Sequence, residues 1–392
     1  MVLSANSNKR SLLVALPFAA GDFQLPGCFT LHLKTLEREV MTNYADSSEK
    51  EIEGNMSKKF KNVNSGWNKI KNSISKKFKT DRAWGYPRRV LLEPTATCNL
   101  RCPLCPTGVG DLGRKVGSMK FDKFKFIVDE LKGKSRALEL AGYGEPTVNK
   151  DIYKMLSYAA KNFQRVYMHT NCLLIDSKDK VEKLVGSGVY QIIVSIDGST
   201  QEVYEKYRVG GNLTLALKNM KAIVEEKKRQ QTESPIIEWQ VVVTKFNEGQ
   251  VDDMRKMSEK VGVNNFNVKS ANINMLSGAA GKKSLPRSIG ETFLPRNAAL
   301  RRFGDKEGKQ IENGCNFLYG NTFIMWNGDV TTCCHDPSGI NKMGNIFEVG
   351  SFWAIWNNDK YRRLRRAVNT EITKATPLCN ICPNRGVDFI TE

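Results

Sequence analysis

No apolar run in the 392 residues approaches the roughly eighteen needed to cross a bilayer, so no membrane span is expected. A secretory signal is missing too. Ser11–Ala20 is a short apolar stretch behind Lys9 and Arg10, but Asp22 and a charged continuation follow where a cleavage site would stand. Ten cysteines are few for a disulfide scaffold of this length, and they are bunched, which excludes an evenly stapled secreted fold and points to metal. Repeats and low-complexity tracts are absent. Acidic residues are scarce, 41 against 60 basic, and the net charge of +19 favours anionic partners without choosing among phosphates, nucleic acid and a membrane surface. The expectation is a soluble cytoplasmic protein, or one peripheral at a membrane.

Residues 1 to about 55 carry no sustained period. From Phe60 onward, Val63, Trp67, Ile70, Ile74 and Phe78 follow at spacings of three and four, one face of a helix. Between Lys58 and Arg89 there are eleven Lys or Arg and a single acid, Asp81. This predicts a basic amphipathic helix over about 56–80 within an N-terminal extension, 1–85. Its apolar stripe must be buried either on the main domain or against a membrane surface or polyanion, and both stay open. Met56 begins the patterned part and is read as a candidate translation start.

Past Arg88, short β-branched runs alternate with helical patterns. Strands are predicted at Val90–Glu93, Ala137–Leu140, Val166–His169, Gln191–Ser195, Glu238–Val243 and Phe266–Lys269. Helices are predicted near Lys123–Leu131, Ile152–Lys161, Lys178–Val185, Leu213–Lys228 and Val251–Val261. Six strands with intervening helices imply an α/β fold of parallel βαβ units with right-handed crossovers. Residues 270 to about 312 read as a linker, and a smaller unit follows. Its hairpin is predicted from Asn321–Trp326 and Val330–Cys334, turned at Asn327-Gly328-Asp329.

Cys98, Cys102 and Cys105 follow the first predicted strand in a CxxxCxxC spacing. Three thiolates can hold three irons of a cubane and leave the fourth open. A zinc site would want a fourth protein ligand, and this loop offers neither His nor another Cys. The stretch Cys98-Asn99-Leu100-Arg101-Cys102-Pro103-Leu104-Cys105 resembles the signature of the radical S-adenosylmethionine (SAM) superfamily. That resemblance implies a partial (β/α)6 TIM-like barrel over 86–300, a [4Fe-4S] cluster on these cysteines, and SAM chelated by the open iron and cleaved to a hydrogen-abstracting 5'-deoxyadenosyl radical. It also implies an electron donor such as flavodoxin or ferredoxin. The Gly142-Tyr143-Gly144-Glu145-Pro146 loop resembles the family's GGEP loop, so Gly142, Gly144 and Glu145 are expected at the SAM amino group. Asn171, Ser195 and Asp197 resemble positions near its methionine and ribose parts, and Arg208 a carboxylate-contacting arginine. Taken singly, such loops are equally well turns or helix caps.

Cys315, Cys333, Cys334, Cys379 and Cys382 lie in the last eighty or so residues. With Gly344-Asn345-Ile346 and Trp356, they resemble the SPASM and twitch units of that superfamily, which implies a small α+β domain, 301–392. The pattern stops short of seven cysteines, so one auxiliary [4Fe-4S] cluster is expected on Cys315, Cys333, Cys379 and Cys382, and structural zinc is the competing reading. A single auxiliary cluster suits a second electron transfer. The leading expectation is therefore oxidation of a carbohydrate or cyclitol hydroxyl in a small sugar-like substrate, with Lys269 or Arg296 as the base. Modification of a ribosomal peptide, by thioether formation, epimerisation or crosslinking, ranks second, and cobalamin-dependent methylation third. A non-enzymatic metal-cluster protein that binds nucleic acid through Lys58–Arg89 and Arg362, Arg363, Arg365 and Arg366 is the remaining alternative, although those arginines read more simply as a solvated helix face.

Overall fold

The computed structural model describes residues 66–271, 291–300 and 314–380. Helix α1 (66–77) leads into six strands with helices between them. These are β1 (Arg89–Leu92), α2 (Phe121–Leu131), β2 (Ala137–Leu140), α3 (Ile152–Asn162), β3 (Arg165–Thr170), α4 (Lys178–Val185), β4 (Gln191–Ser195), α5 (Gln201–Tyr207), α6 (Leu213–Arg229), β5 (Ile236–Val243), α7 (Val251–Val261) and β6 (Asn265–Ser270). The local chemistry explains the boundaries. Ser177, Thr200 and Asn212 cap α4, α5 and α6 by accepting backbone N–H groups, and α7 stops at Gly262, whose φ of +84° suits glycine. Each of the six expected core strands is present within one or two residues. The pattern missed α5, a helix of seven residues.

All six core strands pair in parallel, and β7 (Asn321–Ile324) adds to β1 in parallel as well. β8 (Asp329–Thr331) and β9 (Lys342–Asn345) follow antiparallel, giving one nine-stranded sheet in the order β6-β5-β4-β3-β2-β1-β7-β8-β9. Its edges, β6 and β9, do not pair, so the sheet is an open arc. Val90, Leu92, Leu138, Leu140, Met168, Ile192, Val194 and Trp239 form one core with the helices. Strand alternation then turns Leu91, Glu139, Tyr167, His169, Ile193, Glu238 and Gln240 to the inner face. The hairpin turn sits as expected around Gly328, at φ +86°, but β8 ends at Thr331, so Cys333 and Cys334 lie in the loop beyond it. The predicted linker falls largely outside the described residues.

The C-terminal helix α8 (Asp359–Ala375) corrects one expectation. Arg365 is fully buried among Tyr319, Trp356 and Tyr361, with its guanidinium 4.6 Å from the Trp356 ring. Its N–H groups donate to the carbonyls of Leu318, Asp81 and Trp356 at 3.0, 3.1 and 2.9 Å, and burial lowers its pKa to about 10. Arg362 and Arg366 pair with Asp81 at 3.2 and 3.5 Å. Arg365 is therefore a core anchor, because aromatic rings and backbone carbonyls supply what water would, while Arg363 and Arg366 stay exposed on a solvated face as expected and Arg362 and Arg366 make surface ion pairs.

Helix α1 corrects another. Its docked face is polar: Asn72 and Ser75 are buried, while Ile70 is 43% exposed. Asn72 Nδ2 donates to the Tyr86 carbonyl at 2.6 Å, Ser75 Oγ accepts from Trp84 N at 3.0 Å, and Asn68 links to Lys134 and Tyr86. Backbone groups of the 82–86 segment needed partners, and amides and hydroxyls satisfy them where an apolar stripe cannot. Phe60 and Val63 lie outside the described residues. Asn72→Ala should accordingly cost about 1–2 kcal/mol in chemical denaturation, and Ile70→Ser less than about 0.5 kcal/mol; the reverse order would mean that the apolar stripe is the docked face.

Candidate active site

The cysteine loop leaves the C-terminal end of β1, held by Thr95, whose hydroxyl contacts Ser118 Oγ at 2.8 Å and the Gly117 carbonyl at 3.1 Å. Leu100 N donates to Cys98 Sγ at 3.4 Å, and Arg208 Nη1 lies 3.9 Å from Cys102 Sγ. Burial pushes the Cys102 thiol up to about 11, opposed by Arg208, and raises Cys98 as well. A thiolate here needs positive charge beside it. Iron supplies that charge, and the N–H groups aimed at the sulfurs of Cys98 and Cys102 are what a cluster's ligands receive, so the chemistry of this donor set fits an iron-sulfur cluster.

Around this loop stand the other residues expected at the SAM site. Gly142 has φ +154°, and a Cβ there would meet the Glu93 side chain at 2.9 Å; at Gly144 it would meet the Thr95 carbonyl at 2.1 Å. Both glycines are thus demanded by close backbone approach. Glu145 is buried, which raises its pKa. Its Oε1 accepts from Thr147 Oγ1 at 2.6 Å and Thr170 Oγ1 at 2.8 Å, and its Oε2 accepts from Asn171 N at 2.7 Å. Asn171 Nδ2 reaches Asn99 Oδ1 at 2.8 Å, which ties the β3 loop to the cysteine loop. Ser195 is buried at the end of β4. Asp197 is fully buried, accepting from Val242 N at 2.6 Å and from Arg208 Nε, so it acts on the site by holding Arg208. Arg208 is fixed as the cationic fork beside Cys102.

In the second group, Cys315 and Cys379 pack against the main core, and Cys379 N donates to Thr376 Oγ1 at 3.1 Å. Cys334 packs with Leu91, Phe323, Met325 and Tyr143 on the inner face. Cys333, half-buried beside it, lies close enough for its charge to act on both Tyr361 and Tyr143. Cys382 lies outside the described residues, and none of the described cysteines is in a disulfide.

The two candidate bases are not brought into the site alike. Arg296 is exposed in the 291–300 segment. Lys269 is exposed on β6, but its charge reaches Glu139 on the inner face. The pattern missed the group it joins. Glu139 lies 2.7 Å from His169 Nε2 and 2.6 Å from Arg89 Nε, contacts of ion-pair closeness whose N–H directions fall outside hydrogen-bond alignment. Burial alone would raise the Glu139 pKa, yet His169, Arg89 and Lys269 hold it down to about 2. Glu93 was also missed. It is a fully buried carboxylate at the end of β1, and a charged residue closing an apolar strand was the signal for it.

Residues 92–256 match the family model of the radical SAM superfamily, and residues 315–383 match that of an iron-sulfur cluster-binding domain, SPASM. Among curated proteins, the mycofactocin maturase MftC of Mycobacterium ulcerans (strain Agy99) is 29% identical over 294 residues, 70% of this chain and 75% of its own. The AdoMet-dependent heme synthase of Methanosarcina barkeri (strain Fusaro / DSM 804) is 32% identical over 122 residues, covering 31% of this chain and 34% of its own. The PqqA peptide cyclase of Rhodopseudomonas palustris (strain ATCC BAA-98 / CGA009) is 29% identical over 128 residues, 33% of each chain. Streptococcus suis SuiB bound to S-adenosylmethionine shares the fold at 19% identity with a TM-score of 0.59, covering 90% of this chain and 82% of its own.

The depressed Glu139 pKa has a sign. A carboxylate held at about 2 against an ordinary 4.5 stabilises the fold above the latter, and the contribution is lost as pH falls towards the former. Glu139→Gln should cost on the order of 3 kcal/mol at neutral pH and flatten the acid limb of a denaturation-against-pH profile; an unchanged acid limb would show that the inner-face ion pairs contribute nothing.

Proposed function

The chain belongs to the radical SAM superfamily and carries an iron-sulfur SPASM domain behind the core, and from that premise we propose that it modifies a ribosomally made precursor peptide. It is an enzyme whose cofactors are a [4Fe-4S] cluster and SAM, with iron-sulfur binding in the second domain. The observation that carries the peptide reading is the extent of the maturase match. At 70% of this chain it is too long for the radical SAM segment alone to account for, whereas the heme synthase and peptide cyclase cover about a third. The sugar or cyclitol oxidation expected first has no such relative among these, so the second expectation takes its place.

When bound, the cluster and SAM supply a radical able to take hydrogen from an unactivated carbon. The chain's own residues do the rest. Cys98, Cys102 and Cys105 are the proposed cluster ligands. Arg208, locked by Asp197, offers a fixed guanidinium for a carboxylate, and the Gly142–Glu145 loop brings backbone and a buried carboxylate close to an ammonium group. Cys315, Cys333, Cys379 and Cys382 are the proposed auxiliary ligands, with Cys334 on the inner face. A flavodoxin- or ferredoxin-type donor would deliver the electron. The lysines at 69, 71 and 77 are exposed on α1, which supports contact with an anionic partner surface.

Anaerobically reconstituted protein with dithionite and SAM should release 5'-deoxyadenosine, and Cys98→Ala/Cys102→Ala/Cys105→Ala should abolish it and remove about four irons per chain. Cys333→Ala should lose auxiliary iron while Cys334→Ala keeps it. With a short precursor peptide identified by searching the genes around this one, mass spectrometry should show a SAM-dependent mass change. Turnover of a sugar or cyclitol panel with the peptide left untouched would sink the peptide reading.

A further inference from the structure

The loop that approaches the first cysteine group also touches the second, and Tyr143 makes the connection. Its carbonyl accepts from Thr107 Oγ1, two residues past Cys105, and its amide donates to Glu93 Oε1 at 3.2 Å. Its hydroxyl donates to the carbonyl of Cys334. The ring is buried edge-on against Phe323 at 6.1 Å, and burial drives the phenol pKa well above its usual value, so the hydroxyl remains a donor. An unbroken run of covalent bonds and two hydrogen bonds therefore leads from Cys105 through Thr107 and Tyr143 to Cys334, the neighbour of Cys333.

A second strut runs beside it. Arg114 Nη2 donates to Glu93 Oε1 at 2.6 Å, and its Nε donates to the Pro337 carbonyl at 2.6 Å, three residues beyond Cys334. Glu93 Oε2 accepts from Trp326 N at 3.3 Å, on the hairpin. One buried carboxylate thus holds the SAM-site loop, the hairpin and the arginine at once. A trans peptide is planar, so a hydroxyl that pins the Cys334 carbonyl also fixes the His335 N–H and the backbone on either side.

We propose that Tyr143 is a positioning residue through which the SAM-site loop sets the surroundings, and hence the reduction potential, of an auxiliary cluster bound at Cys333. The potential of such a cluster follows the hydrogen bonds and solvent exposure around its sulfurs, and those depend on how this backbone is held. The inference rests on the reading that both cysteine groups hold clusters. Thr107 enters this network through its hydrogen bond to the Tyr143 carbonyl, so removing its hydroxyl perturbs the loop without touching the Tyr143 ring or hydroxyl.

The test is a redox titration of the auxiliary cluster by electron paramagnetic resonance in the reconstituted full chain, after iron has been counted. Tyr143→Phe keeps the ring and removes the hydroxyl; Thr107→Val removes the other hydrogen bond. Each should shift the one-electron equilibrium of the auxiliary cluster about tenfold, about 59 mV, and the double variant should shift it no further. Thr107→Ser keeps the hydroxyl and should restore the wild-type potential, which separates lost coupling from a damaged fold. An unmoved auxiliary potential in Thr107→Val, or additive shifts, overturns the proposal while the two-cluster reading stands. About four irons per wild-type chain instead of eight overturns that reading, and the proposal with it.

Discussion

The parallel pairing of β7 on β1 is the constraint on which the rest of the architecture depends. Arg89 to Leu92 run in register with Asn321 to Ile324, and Glu93 N extends the ladder to the Ile324 carbonyl at 2.9 Å. β1 also pairs with β2, so one buried strand holds the βα core on one side and the C-terminal hairpin on the other. Parallel strands release their loops at the same end, which is where sites form in folds of this type. The Cys98–Cys105 loop follows β1 and the Trp326–Gly328 turn follows β7, so a single ladder of hydrogen bonds puts two distant stretches of sequence on one rim, while β8 runs back and Tyr143 reaches the Cys334 carbonyl from that rim. A β7 that paired elsewhere would leave Glu93 buried without Trp326 N.

Charge inside the fold obeys the same economy of partners. A buried guanidinium is costly unless its N–H groups and its charge are answered. Arg365 meets three carbonyls and three aromatic rings, and two of those elements, the Asp81 carbonyl and Trp356, also join the basic N-terminal segment to the C-terminal helices. Asp81, the single acid between Lys58 and Arg89, takes Arg362 and Arg366 on its carboxylate. The basic stretch is therefore fastened to α8 by its one exception in sign, and its described lysines stay outward.

What the sequence made legible was local. β-branched runs between helical periods located six strands, and the cysteine spacing and glycine loops fell at strand ends because those positions need backbone room. What stayed hidden was relational. Periodicity shows that Trp67, Ile70 and Ile74 share a face of α1, but the partner decides which face docks, and here Tyr86 and Lys134 carbonyls and the Trp84 amide selected Asn68, Asn72 and Ser75. Arg365 looks like Arg362 or Arg366 until three aromatic rings surround it. Glu93, Arg114 and Tyr143 meet across separations of 21 and 50 residues, and Tyr143 meets Cys334 across 191, distances that no local pattern encodes.

The inner face of the arc sets a condition on any substrate. Glu139, His169 and Arg89 from three adjacent strands, with Gln191, Glu238 and Asn267 hydrogen-bonded across the next three, set polar groups on every core strand among the apolar Leu91, Tyr167 and Ile193. The Gln240 Oε1 there is buried and meets no donor among the described residues. An apolar ligand laid over these groups would strip them of water and return no hydrogen bonds, at a cost of about 1–3 kcal/mol for each one left unsatisfied. A ligand with alternating donors and acceptors returns them. Peptide amides do so at every residue, and an extended backbone could run along the strands and answer Gln240 with an N–H. Sugar hydroxyls would satisfy the same groups over a shorter reach, so the condition this face sets is on a ligand's capacity to return hydrogen bonds.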